Sequence, residues 1–63
     1  MKTVIYKNLV IELHEEAGQY AYVVTDEIGT VLSKSSYQFT LIDEAEIAGK
    51  IVINEMLWNK KNK

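Results

Sequence analysis

The chain has 63 residues, a formal net charge of −2, one histidine and no cysteine. Without cysteine it has no disulfides or thiolate metal sites, and domains built mainly to grip nucleic acid usually carry a clear basic excess. The sequence has no apolar run of about 18 residues and no long apolar stretch near residue 1, so we expect no membrane span and no secretory signal, and a cytoplasmic location.

Residues 1–63 fit one domain, which we expect to end in a frayed basic tail at 59–63. A domain this small buries only about 60% of the surface that its unfolded chain exposes. Such domains usually need a disulfide, a metal, a partner subunit or unusually good packing. With no cysteine and one histidine, packing and self-association are the supports that remain.

Two segments that end in glycine, 15–18 and 26–29, predict the turns of two β-hairpins. A glycine in the left-handed conformation closes a loop built on a type I turn, and Asp26 would bond the backbone two residues ahead. The strands would then cover residues 9–14, 19–25 and 30–34. Residues 3–6 also have an extended pattern. Either Lys7-Asn8 is a tight turn that makes them a fourth strand, or it is a kink within one long first strand.

Four-residue loops would place His14 opposite Gln19 and Thr25 opposite Thr30, and opposed residues share a face of the sheet. One face is then almost entirely apolar and carries Leu9, Ile11, Leu13, Tyr20, Tyr22, Val24 and Val31. The other carries Val10, Glu12, His14, Ala21, Val23, Thr25, Thr30, Leu32 and Lys34. We expect the first face to contribute the core.

A polar and aromatic segment follows the third strand. Within it, Tyr37 and Phe39 are expected to close the edge of the core. Next, Thr40 with Asp43, or Asp43 with Glu46, matches a capping box and predicts a helix start.

The helix is predicted over about residues 42–58. Its core stripe, at helical spacing, would consist of Ile42, Ala45, Gly49, Val52, Ile53, Met56 and Leu57. Because Ala45 and Gly49 are small, the helix would lie close to the strands, which compensates for the ~1 kcal/mol that glycine costs in a helix interior. The sequence therefore predicts an α+β fold: a three- or four-stranded antiparallel meander with one C-terminal helix packed on one face.

Parts of residues 18–45 resemble a unit of the YegP-type small bacterial proteins. Three segments are similar to parts of that unit. Gly18-Gln19-Tyr20-Ala21-Tyr22 resembles its glycine–aromatic–x–aromatic strand, and Gly29-Thr30-Val31-Leu32-Ser33 resembles its turn glycine with a second strand. Ser36-Tyr37 resembles the serine and tyrosine that precede its helix. This chain has more residues before its helix and lacks the usual glycine before the tyrosine. The resemblance implies a small sheet-plus-helix fold without an established activity, and no functional residue carries over.

The side chains available for catalysis are few, and we expect neither an enzyme nor a cofactor. The only histidine, His14, and Ser33 fall on different strands and opposite faces, which disfavours a Ser–His pair. His14 with Glu12, Glu15 and Glu16 would bind a divalent metal weakly at best. A solvated strand end beside an acidic turn explains the same residues.

A small single-stranded nucleic-acid binder is the alternative function. Tyr20 and Tyr22 are two residues apart, the spacing with which sheet-based RNA binders stack bases, and Lys60, Lys61 and Lys63 form a basic tail. Stacking needs an open face, whereas the expected register puts both tyrosines under the helix. The chain also has no arginine.

Some large apolar residues remain after the core is filled. On the helix they are Ile47, Ile51 and Trp58, on the side opposite the core stripe; we call them the outward stripe. On the outer sheet face, Val10, Val23 and Leu32 would be aligned across three strands as a rival surface. A helix that is apolar on two sides usually has two partners.

The sequence therefore predicts a non-enzymatic protein-interaction module, most simply a homodimer through the outward stripe. An accessory factor and a phage-type inhibitor of a host protein both fit this description. The partner would be a second copy, another protein, or both.

Overall fold

The computed structural model describes residues 2–61 as a four-stranded antiparallel sheet with one helix on one face. The elements are β1 (Lys2–Tyr6), β2 (Leu9–Glu16), β3 (Gln19–Thr25), β4 (Val31–Lys34) and α1 (Ile42–Lys61). The strands adjoin in the order β1-β2-β3-β4. The predicted α+β meander is confirmed, and β1 is a separate fourth strand rather than part of one long first strand.

Two-residue turns connect β1 to β2 and β2 to β3. Lys7 and Asn8 have φ values of 52° and 68°, and Ala17 and Gly18 have 52° and 79°. Positive φ at both central residues is typical of the type I′ turn, whose twist matches that of the flanking strands. The predicted four-residue loop at 15–18 is therefore wrong, because Ala17 adopts a left-handed conformation that alanine seldom occupies.

The shorter turn changes the register between β2 and β3 by two residues. Glu16 lies opposite Gln19, and His14 lies opposite Ala21 instead of Gln19. Because side chains alternate with a period of two, a shift of two leaves each residue on its predicted face. The predicted core face is accordingly confirmed for Leu9, Ile11, Leu13, Tyr20, Tyr22 and Val24.

A β-bulge changes the pairing of β3 with β4. Val24 lies opposite Ser33, whereas Thr25 lies opposite Val31, so Leu32 is an extra residue on β4. A bulge of this kind interrupts the alternation of side chains between the two faces.

Two residues of β4 consequently differ from the prediction. Val31, predicted on the core face, pairs with Thr25 on the uncovered face and is 55% exposed. Leu32, predicted on the outer face, borders a cleft on the helix side together with Leu9 and Met56. The predicted pair of Thr25 with Thr30 is also wrong, since Val31 takes that place.

Asp26 organises the loop between β3 and β4. Its Oδ1 accepts hydrogen bonds from the backbone N–H groups of Ile28 (3.1 Å) and Thr30 (2.8 Å). Gly29 has a φ of 94° and donates its N–H to the Asp26 carbonyl at 3.1 Å. The predicted roles of Asp26 and of the left-handed glycine are both confirmed.

The core lies between α1 and strands β2 and β3. Ala45, Gly49 and Ile53 of the helix are buried. A Cβ atom added to Gly49 would lie 3.0 Å from Cγ2 of Ile11, a tight contact that would require the Ile11 side chain to shift. The predicted close approach of the helix is therefore confirmed. Leu57, predicted in the core stripe, is instead exposed at its margin.

Phe39 closes the core as predicted, but Tyr37 does not. Phe39 exchanges two backbone hydrogen bonds with Tyr20, at 2.7 and 3.2 Å. The N–H of Gln38 bonds the Ser36 carbonyl at 2.9 Å, which makes Tyr37 the centre of a tight three-residue turn. Its ring is exposed for this reason.

Helix α1 begins at Ile42, as predicted, but the side-chain pair at its start and its C-terminal end differ from the prediction. Thr40 donates to the Glu44 carboxylate at 3.2 Å instead of pairing with Asp43, so a different pair forms at the helix start. The helix continues past residue 58 to Lys61, into the segment 59–63 predicted as a basic tail. Residues 62–63 lie outside the described part of the chain.

Candidate interaction surface

The outward stripe lies on the side of α1 that faces away from the sheet. Ile47, Ile51 and Trp58 are 57%, 53% and 65% exposed. At 1.5 Å per residue they extend along about 16 Å of the helix. The structure therefore places all three side chains together on the exposed surface, as the helical spacing predicts.

One flank of α1 is attached to β1 through Glu46. Lys2 Nζ lies 3.1 Å from Oε1 of this carboxylate, and Lys50 Nζ lies 3.1 Å from Oε2. These hydrogen bonds, from Lys50 first and then Lys2, hold the pKa of the Glu46 carboxyl below its ordinary value. The carboxylate thus joins the N-terminal strand to the helix.

Asn54 makes a second attachment, two helical turns further along the same flank. Its Oδ1 accepts hydrogen bonds from the Tyr6 hydroxyl at 3.1 Å and from Lys7 Nζ at 2.7 Å. The ammonium groups of Lys7 and Lys50 lie 5.3 and 5.6 Å from the centre of the Tyr6 ring, within cation–π range. Three lysines therefore gather around β1: these two and Lys2.

The rival surface differs from its predicted form. Val10 and Val23 are on the uncovered sheet face, but Val10 lies opposite Thr25 and Val23 lies opposite Glu12. Leu32 is on the helix side. The predicted alignment of Val10, Val23 and Leu32 is wrong because of the register shift and the bulge.

A different row crosses all four strands of the uncovered face. Its members are Ile5, Val10, Thr25 and Val31, which are opposed from strand to strand. Ile5 is 76% exposed, at the outer end of the row. The row depends on the observed register and on β1, so the periodicity of the sequence does not predict it.

An apolar cleft that was not predicted lies at the C-terminal end of α1. The cleft has a volume of about 370 Å³ and is lined by Leu9, Asp26, Leu32, Met56, Leu57 and Lys60. A shallower depression of about 290 Å³ adjoins it, beside the exposed Ile28. The bulge turns Leu32 toward this cleft, and no pattern in the sequence indicates it.

The tyrosines of the nucleic-acid alternative are on the helix-covered face. Tyr20 and Tyr22 are half-buried and pack against the core, and the ring centroid of Tyr22 lies 6.1 Å from that of Phe39. They do not form an open stacking platform. Lys60 is exposed near the end of α1, and Lys63 lies outside the described residues.

The surroundings of His14 contain one carboxylate contact. His14 Nε2 lies 3.3 Å from Glu12 Oε1 and donates to this carboxylate in the tautomer that carries the proton on Nε2. Between residues 2 and 61, no three histidine, aspartate or glutamate side chains are arranged to hold a metal ion.

No protein-family model, no curated protein and no solved structure matches this chain. The resemblance of residues 18–45 to the YegP-type unit therefore stays an expectation. In the part of the chain that the structure describes, no helix combines the length and the apolar character needed to cross a membrane.

Proposed function

We propose that this chain is a non-enzymatic protein-interaction module of the cytoplasm that forms a homodimer through the outward stripe. The observation that carries the proposal is the row of Ile47, Ile51 and Trp58. Each side chain is more than half exposed, and all three lie on one side of α1. Single exposed apolar residues are ordinary, but a row of three large ones favours a binding surface.

The position of the stripe favours a second copy as the partner. The stripe is on the side of α1 that faces away from the sheet, where another α1 can approach it from solvent. A twofold axis brings the same patch from each chain together, and cyclic dimers are the commonest oligomers. Tryptophan is enriched among the residues that dominate such contacts, which gives Trp58 the central role.

The size of the stripe limits the affinity. A standard interface buries about 800 Å² on each partner, more than three side chains provide. The contact must therefore include flanking residues such as Glu44 and Glu55, which are exposed beside the stripe. We expect a dimer with a dissociation constant on the order of micromolar rather than nanomolar.

The test is the mass in solution of the wild type, Ile51→Glu and Val23→Glu, measured by sedimentation equilibrium. The wild type should approach twice the chain mass of 7.2 kDa at high micromolar concentration. Ile51→Glu should be monomeric, because it introduces a charge into the stripe. Val23→Glu makes the same kind of change on the uncovered sheet face and should still dimerise.

Other results of the mass measurement would contradict the proposed interface or move it elsewhere. A monomeric wild type at high micromolar concentration removes the homodimer. A dimer that is lost in Val23→Glu and kept in Ile51→Glu moves the interface to the sheet. A partner of another kind, as for an accessory factor or an inhibitor of a host protein, would then be sought with the monomer.

A further inference from the structure

The two outer strands of the sheet differ in how their free edges are protected. Within the described residues, β1 and β4 are at the two edges. The β4 strand has four residues and is interrupted by the bulge at Leu32. The five residues of β1 pair with β2 without irregularity. Proteins commonly blunt exposed edges with bulges, very short strands or charged side chains, and of these β1 has only a charged side chain, Lys2.

The turn geometry shows which backbone groups of β1 are free. In a two-residue type I′ hairpin the closing pair, here Tyr6 and Leu9, is hydrogen-bonded. By alternation Val4 is also bonded to β2, whereas Thr3 and Ile5 direct their N–H and C=O groups away from the sheet. Ile5 is also 76% exposed. Two donors and two acceptors are thus available to a further strand.

The helix side of this edge is basic, although the whole chain has a net charge of −2. Lys2, Lys7 and Lys50 gather beside β1, and Glu46 is the carboxylate that binds two of them. On the other sheet face, Glu12 lies opposite Thr3. The charge is therefore divided by face: positive on the helix side, with an acidic residue on the uncovered side.

We infer that the edge of β1 binds an extended acidic segment of a partner protein, which adds as a fifth strand. Its backbone bonds to Thr3 and Ile5, as in other cases of strand addition. On the helix side, the alternate side chains of the partner segment are acidic and contact Lys2 and Lys7. Those on the uncovered side are apolar and pack beside Ile5. This site is separate from the outward stripe and does not depend on it.

A second copy fits this edge poorly. An antiparallel pair of β1 strands centred on Val4 would bring Lys2 of one chain beside Tyr6 of the other. That ring already has Lys7 and Lys50 next to it. The like charges oppose the pairing, whereas carboxylates at the same places would be attracted.

The experiment titrates the protein with an alternating glutamate–valine heptapeptide blocked at both ends, and with the matching lysine–valine peptide. Amide NMR shifts and hydrogen exchange of Thr3 and Ile5 are the readouts. The glutamate peptide should protect both amides from exchange. It should bind at least about tenfold more tightly than the lysine peptide, from two charge pairs.

Two variants test the backbone and charge contributions. Ile5→Pro removes one outward N–H, a change that an edge strand tolerates, and should weaken peptide binding about tenfold. Its control is Ile5→Thr, which keeps the N–H and should bind the peptide within about threefold of the wild type. Lys7→Glu should weaken binding of the glutamate peptide. Lys60→Glu, on exposed α1, is its control. If Ile5→Pro fails to fold by circular dichroism, Lys7→Glu and the two peptides decide.

The inference is overturned if Thr3 and Ile5 are unaffected at millimolar peptide, or if both peptides bind equally. Shifts confined to Ile47 and Ile51 would also overturn it. Protection of Thr3 without peptide, with loss of the dimer in Ile5→Pro, would assign the edge to a second copy instead. Ile51→Glu should bind the glutamate peptide like the wild type, so failure of the dimer and failure of this site are distinguishable.

Discussion

The two sides of α1 place the same residue type in opposite surroundings. Ile53 is fully buried against the sheet, while Ile51, two residues earlier, is 53% exposed. The inner side fits so closely that a Cβ at Gly49 would lie only 3.0 Å from Cγ2 of Ile11. The fold explains why the inner residues are apolar, but it gives no such reason for Ile47 and Ile51. Binding is the reason that we propose.

The largest expected effect comes from truncating each isoleucine in turn. Ile53→Ala should cost about 2–5 kcal/mol of unfolding free energy, because it opens a cavity in the core. That is a large part of the roughly 3–9 kcal/mol expected for a chain of this length. Ile51→Ala should change the stability of the monomer by less than about 0.5 kcal/mol.

Urea unfolding of the two variants at a protein concentration well below the dissociation constant of the dimer is the measurement. At that concentration dimerisation contributes little. Equal losses in Ile53→Ala and Ile51→Ala would mean that the two sides of the helix do not differ as the structure shows.

The next largest expected effect on stability tests how closely the buried side of α1 packs against β2. Alanine is normally more stable than glycine within a helix by about 1 kcal/mol. At Gly49, however, the new Cβ would press on Ile11, which is itself fully buried. Overpacking costs about 1–3 kcal/mol, so Gly49→Ala should show a net loss of about 1 kcal/mol in thermal or urea unfolding. A gain in stability would show that Ile11 and the helix have room to separate.

The smallest expected effect on stability comes from Glu46, which lies on the flank of α1 between its buried and exposed sides. Glu46 has a lowered pKa in the folded chain, so its contribution to stability is present above the ordinary glutamate pKa of about 4.3. That contribution disappears as the pH falls through the lower pKa that Glu46 has in the folded chain. The stability difference between the wild type and Glu46→Gln should therefore be larger at pH 7 than at pH 3, as measured by urea midpoints.

Glu55→Gln is the matched control, because it removes a glutamate from the exposed side of the same helix. A pH dependence as large as that of Glu46→Gln would assign the effect to the net charge of the chain rather than to the contacts with Lys2 and Lys50.

Periodicity predicted the faces of the sheet and helix, but not the pairing of strands. The core positions Ile11, Leu13 and Val24 follow from a period of two, which survives a register shift of two residues. The turn at Ala17 was mispredicted because alanine gives no signal for positive φ. Asparagine or glycine at that position would have indicated the two-residue turn.

For the candidate surfaces as well, periodicity predicted which side chains share a face of the helix but not how the strands pair. Helical spacing predicted that Ile47, Ile51 and Trp58 would be exposed together. The predicted row through Leu32 failed because one extra residue in β4 reversed its side, and single-residue bulges leave no periodic trace. The free edge of β1 was likewise invisible until strand order and turn type were known.

The most direct test of the account is the fluorescence of Trp58 as a function of protein concentration. It is the only tryptophan in the chain, and it belongs to the outward stripe. Indole emission moves to shorter wavelength when the ring leaves water. If the outward stripe forms the dimer, the emission should shift in this way in the wild type and in Val23→Glu on going from nanomolar to high micromolar concentration, and should not shift in Ile51→Glu. Identical emission from the wild type and Ile51→Glu at every concentration would contradict it.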